Sequence, residues 1–116
     1  MEGYFLLILI SASGVLADSI QPTDKKTNAD TKEEERVTLS CSYDTRSEYV
    51  YLYWYRQYPN REPEYLLRKG ARSWSSYNHM PDPQFQATSS QTSTELTITA
   101  VTLSDSALYY CALRVG

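Results

Sequence analysis

From Val37 the chain alternates strictly: Val37, Leu39 and Cys41 are apolar, while Thr38, Ser40 and Ser42 are polar. A period of two residues puts one set on a buried face and the other towards solvent. The pattern predicts a half-buried strand with Cys41 pointing inward. Asp44–Glu48, DTRSE, breaks it with turn-forming residues. Tyr49–Tyr58, YVYLYWYRQY, is β-branched and aromatic throughout and predicts a second strand, which Tyr58-Pro59-Asn60-Arg61 ends in a turn. Glu64–Arg68 is the next strand, and Gly70–Met80 reads as a serine-rich loop. Pro81-Asp82-Pro83 enforces a break. Phe85–Thr88 and Glu95–Thr99 are short strands around a Ser/Gln/Thr turn. Leu103–Ser106 makes a corner, and Ala107–Leu113 is the final strand. No useful length has helical periodicity. Many short strands with regular turns predict an all-β sandwich or barrel.

The N-terminal part has a different character. Tyr4–Ile10, YFLLILI, is an apolar run followed by small residues and Val15-Leu16-Ala17, the pattern of an export leader with a cleavage site. It departs from that pattern in carrying Glu2 and no early Lys or Arg, and a buried strand is the alternative. The expectation is a leader over 1–17 and a single extracellular domain over 18–116. Asp24–Glu35, DKKTNADTKEEE, reads as a solvated loop, its acidic residues lacking the spacing of a calcium loop. No other segment is apolar enough to anchor the chain in a membrane.

Export changes the reading of the cysteines. Cys41 and Cys111, 70 residues apart, are expected to form a disulfide worth about 4 kcal/mol, a pair of free buried thiols being the alternative. The net charge of −3, with no basic stripe, argues against nucleic acid as a partner. Catalysis is not expected. The one histidine, His79, lies beside Met80 and Pro81, and a Ser–His–Asp site would have to recruit Asp82 or Asp105. No nucleophile elbow or glycine-rich loop exists, metal ligands are few, and neither cofactor nor metal is expected. Asn28, Asn60 and Asn78 all fail the glycosylation pattern.

Trp54 follows Cys41 by thirteen residues, Tyr109 precedes Cys111 by two, and a corner containing Asp105 comes just before. This is the immunoglobulin arrangement of disulfide, packed tryptophan and tyrosine corner. The chain resembles the variable domains of antigen receptors, and within them the T-cell receptor alpha/delta variable segments. The matching stretches are Trp54–Gln57 (WYRQ), Glu62–Leu67 (EPEYLL), Ser93–Ile98 (STELTI) and Asp105–Leu113 (DSALYYCAL). The resemblance implies a V-type β-sandwich with Trp54, Tyr109 and Leu96 in its core. It also implies that a joining segment, with a Phe-Gly-x-Gly bulge, supplies the last (G) strand. Without that strand, the edge of the strand bearing Cys111 would lie uncovered and the isolated chain would fold poorly. Such domains often carry Arg or Lys where this chain has Gln84, which leaves the ion pair of Asp105 in question.

Alternation also assigns faces. With Leu52 and Trp54 inward, Tyr51, Tyr53, Tyr55 and Gln57 point outward. With Tyr109 and Cys111 inward, Tyr110 and Ala112 point outward, and Tyr65, following Pro63, joins them. So aromatic an outer face marks an interface. The resemblance implies that it meets a second variable domain, of a beta or gamma chain, with Gln57 bonding across. The loops at one end would be the recognition surface: Thr45–Tyr51, about Lys69–Ser76, and a third beginning after Cys111. Arg46, Tyr49, Tyr51, Arg72 and Trp74 are the candidate contacts. The implied ligand is peptide on a major histocompatibility molecule, or a related one, met at the plasma membrane by a full receptor chain. The alternatives are an immunoglobulin light-chain variable domain and a non-rearranging innate or adhesion receptor.

Overall fold

The structure is a computed structural model that describes residues 2–11, 18–23, 28–32 and 36–116. Its strands are β1 (Glu2–Ser11), β2 (Ser19–Pro22), β3 (Asn28–Lys32), β4 (Val37–Asp44), β5 (Tyr49–Gln57), β6 (Glu64–Arg72), β7 (Asn78–His79), β8 (Phe85–Ser89), β9 (Ser93–Ile98) and β10 (Ala107–Val115). A short 3-10 helix, Leu103–Asp105, forms the predicted corner. One sheet has the order β3-β1-β10-β5-β6-β7 and the other β2-β4-β9-β8.

The two inner faces close on one core, as the alternating strands require. Leu39 and Cys41 of β4, Leu52 and Trp54 of β5, Leu96 and Ile98 of β9, and Tyr109 and Cys111 of β10 are all buried. A disulfide joins Cys41 to Cys111 and so ties the sheets together. The Trp54 indole N–H lies 3.4 Å from the Thr94 hydroxyl, which itself donates to the Thr88 carbonyl at 2.9 Å. The indole N–H of Trp54 and the hydroxyl of Thr94 are thereby both satisfied. Tyr109 completes the corner by donating its hydroxyl proton to the Asp105 carbonyl at 2.6 Å.

Several sequence expectations are corrected. Gly70–Met80 is not all loop: β6 continues to Arg72, and β7 pairs back through Arg68↔His79 and Lys69↔Asn78. Gly70 makes this hairpin possible, because a Cβ there would sit 2.0 Å from the Trp74 carbonyl oxygen. The Gly70 N–H instead reaches the Tyr77 carbonyl at 2.9 Å. Within Asp24–Glu35, residues Asn28–Lys32 are a strand rather than loop, pairing antiparallel with β1. A polar sequence can hold an edge position because the ladder uses only backbone groups. Ala112 is buried although it alternates with Tyr110; its methyl lies outside the main core cluster and is too short to project past flanking strands.

The outer edge of β10 is not uncovered. β1 pairs along it in parallel, Phe5↔Ala107 to Ser11↔Leu113, while the other strand pairs are antiparallel. The apolar run read as a leader is thus extended and ladder-bonded in this structure. The small residues of the expected cleavage site, 12–17, lie outside the described residues.

Candidate pairing face and recognition loops

β5, β6 and β10 pair in a register that gathers the outward tyrosines. Tyr110 lies opposite Tyr55, and Tyr55 opposite Tyr65, with a bulge between Trp54 and Tyr55. The rings form a chain across the sheet: Tyr51–Tyr53 at 6.4 Å, Tyr53–Tyr55 at 6.2 Å, Tyr55–Tyr65 at 6.1 Å and Tyr65–His79 at 5.6 Å between centroids. The Tyr65 hydroxyl is 2.7 Å from His79 Nδ1. Tyr65 is 40% exposed, Pro63 is exposed, and Tyr53, Tyr55, Gln57 and Tyr110 are half-buried. Partial desolvation raises the pKa of Tyr55 and Tyr65 above the ordinary tyrosine value. Gln57 is engaged within the chain: its Oε1 accepts from the Tyr110 hydroxyl, and its Nε2 donates to the Arg61 carbonyl at 2.8 Å.

Arg68 sits among these rings, and alternation did not single it out. Its guanidinium lies 5.2 Å from the Tyr51 centroid, 5.7 Å from Tyr53 and 5.0 Å from Tyr77, and it donates to the Tyr77 hydroxyl. Hydrogen bonds to the Tyr53 and Tyr77 oxygens hold its pKa above the ordinary value. The cation–π contacts fix the charge over the aromatic face. What places the two side by side is the register Arg68↔Tyr53 between β5 and β6, which the single-strand pattern does not report.

The same aromatic chain runs on into the loops. Tyr51 stacks on Trp74 at 4.4 Å, and Tyr49 tilts against Trp74 at 5.3 Å. Tyr49 is 49% exposed and Arg46 is exposed. The loops bond to one another through the backbone, Ser73 N–H to the Glu48 carbonyl and Gly116 N–H to the Tyr49 carbonyl. Arg72 is turned inward, its side chain donating to the carbonyls of Thr45, Ser47 and Gln91.

The sheet face and the loop end thus share one continuous aromatic surface, and sequence comparison shows the family of the chain that carries it. Residues 24–116 match the family profile of the immunoglobulin V-set domain. The human T cell receptor alpha variable 18 is 40% identical over 112 residues, covering 94% of this chain and 93% of its own. The human T cell receptor alpha variable 38-2/delta variable 8 is 31% identical over 113 residues, 97% and 96% of the two chains, and T cell receptor alpha variable 3 is 35% identical over 118 residues, 94% and 92%.

The chain belongs to the T-cell receptor alpha/delta variable segments of the V-set family.

It is therefore an antigen-recognition variable domain, of a family that is not enzymatic. Within this V-set fold, Trp54, Tyr109 and Leu96 occupy the core and the disulfide is Cys41–Cys111. The pairing candidates Tyr53, Tyr55, Gln57, Tyr65 and Tyr110 share one sheet face of this variable domain, with Pro63 just before β6. Of the loop candidates, Tyr49, Tyr51 and Trp74 form one aromatic cluster, Arg46 stands out from it, and Arg72 ties the loops beneath.

Proposed function

We propose that this chain is the ligand-recognising part of a T-cell receptor alpha or delta chain. Its tyrosine face pairs with the variable domain of a beta or gamma chain, and its loops contact peptide held by a major histocompatibility or related molecule. The observation that carries the reading is the continuity of the aromatic surface. Tyr65, Tyr55 and Tyr53 on the sheet lead without a break into Tyr51, Trp74 and Tyr49 at the loop end. Rigid amphipathic rings bury large area at little entropic cost, at a domain interface as in a paratope. On pairing, the Gln57 amide would exchange its bond to Arg61 for one across the interface. Residues 1–17 act as an export leader, whose removal would take β1 away and open the β10 edge to a joining-segment strand, and the chain works on the extracellular side of the plasma membrane as part of a full receptor. Among the described residues no helix is long and apolar enough to cross a membrane.

The test is co-expression of the full receptor chain with beta and gamma partner chains, reading co-display at the cell surface. Display that requires a partner, and that drops with Tyr55→Ser, supports pairing through this face. Display without any partner would favour a self-sufficient innate or adhesion receptor.

A further inference from the structure

We infer that Arg72 is a positioning residue that locks the recognition loops together, rather than a ligand contact. The inference rests on the loops being the recognition surface. The Arg72 guanidinium spans two sides. Nη1 donates to the carbonyls of Thr45 and Ser47, both at 2.7 Å, in the first loop. Nε and Nη2 donate to the Gln91 carbonyl, at 3.0 and 2.7 Å, in the turn between β8 and β9. Its own backbone opens the second loop. One planar fork therefore joins three separate chain segments.

The surroundings are built for it. The guanidinium lies 5.2 Å over the Tyr43 ring, and the Tyr43 hydroxyl donates to the Ser90 carbonyl at 2.6 Å, anchoring the same turn from below. Among the described residues its acceptors are neutral carbonyls and no carboxylate forms an ion pair with it. The site thus reads donor direction rather than charge alone, which a lysine cannot supply. Arg72 also holds φ at 57°, the left-handed region that residues other than glycine rarely occupy. Strain of that kind persists where the surrounding structure over-determines a position. From this node the order spreads: the single Ser47 hydroxyl proton is shared between the carbonyls of Tyr49, at 3.1 Å, and Gly116, at 3.2 Å, reaching the start of the third loop. Loops held in their binding shape lose less freedom on contact, which is how preorganisation raises affinity.

The experiment is amide hydrogen exchange on the full receptor chain, without ligand, comparing the natural sequence with Arg72→Lys and Arg72→Asn. Asn tolerates the left-handed backbone and so keeps the fold while removing the fork. Exchange at the Ser73 and Gly116 amides should quicken at least about tenfold in both variants, with core amides of β5 and β10 unchanged. A core variant such as Ile98→Val, which lowers global stability, should leave the loop amides unmoved relative to the core. Full protection of the loops in Arg72→Asn, or rescue by lysine, would overturn the inference. A failure of the pairing or ligand reading would not alter this exchange pattern, so the two are separable.

Discussion

Gln84 Nε2 donates to Asp105 Oδ2 at 3.1 Å, while Arg56 Nη1 stands 3.8 Å from the other carboxylate oxygen. The position before Phe85 therefore supplies a neutral hydrogen bond, and the charge comes from β5 instead. Asp105 also accepts from the Thr102 N–H at 2.9 Å, capping the 3-10 helix. Arg56 is shared with Glu64 at 3.4 Å and lies over the rings of Tyr58 and Phe85, at 4.8 and 5.3 Å. The ion pair in question from the sequence is present, with a different partner.

Because Asp105 is buried and charged, its partners cannot be stranded cheaply. Asp105→Asn should lower unfolding stability by about 1–3 kcal/mol, and Gln84→Ala by about 1 kcal/mol. Denaturant midpoints at constant slope check both. An unchanged midpoint in Asp105→Asn would mean that the corner is held by backbone geometry alone.

Tyr109 gives a pH dependence with a definite sign. Burial raises its pKa well above the ordinary tyrosine value of 10.0, with Arg56 only partly offsetting this. A group whose folded pKa is raised contributes stability that is complete below its unfolded pKa and lost as pH climbs above it. Stability should therefore fall from about pH 10 upward. Tyrosinate absorbance from this residue should appear together with unfolding and not before it. Tyr109→Phe should remove much of that slope and cost about 1 kcal/mol at neutral pH through the lost bond to the Asp105 carbonyl.

The disulfide closes a separation of 70 residues. Reducing it should lower stability by about 4 kcal/mol, a large share of what a domain of this size possesses. Thermal unfolding with and without reductant reads the loss. Reduction without effect would contradict a core organised around Cys41, Cys111 and Trp54.

Trp74 joins the second loop to the first through its rings and to Gly116, where an added Cβ would lie 2.6 Å from the indole. Trp74→Ala should leave the melting temperature within a few degrees, since it lies outside the core, yet abolish most ligand staining. Gly116→Ala should perturb the same loop contact.

Much of this was legible because period-two alternation is a strong signal. It placed Cys41 inward and, with Trp54 and Tyr109 taken as inward, Tyr53, Tyr55 and Tyr110 outward; in the structure Cys41, Trp54 and Tyr109 are buried and the three tyrosines half-buried. What it missed depended on register or on exact distance. The extension of β6 turns on a close approach at Gly70, which no local propensity reports. Arg68 needed the pairing with Tyr53, and the inward turn of Arg72 needed carbonyls from the first loop and the β8–β9 turn. Ala112 alternates correctly but is too small to emerge. β2, with Ile20 fully buried, escaped because four residues are too few to show a period.

The central claim is recognition by a rearranging receptor, and sequencing lymphocyte transcripts that contain the Asp105–Cys111 stretch tests it most directly. The account predicts that copies continue through diverse residues into a Phe-Gly-x-Gly joining segment and an alpha or delta constant domain. Copies that all continue identically into a stalk or anchor of their own would contradict it.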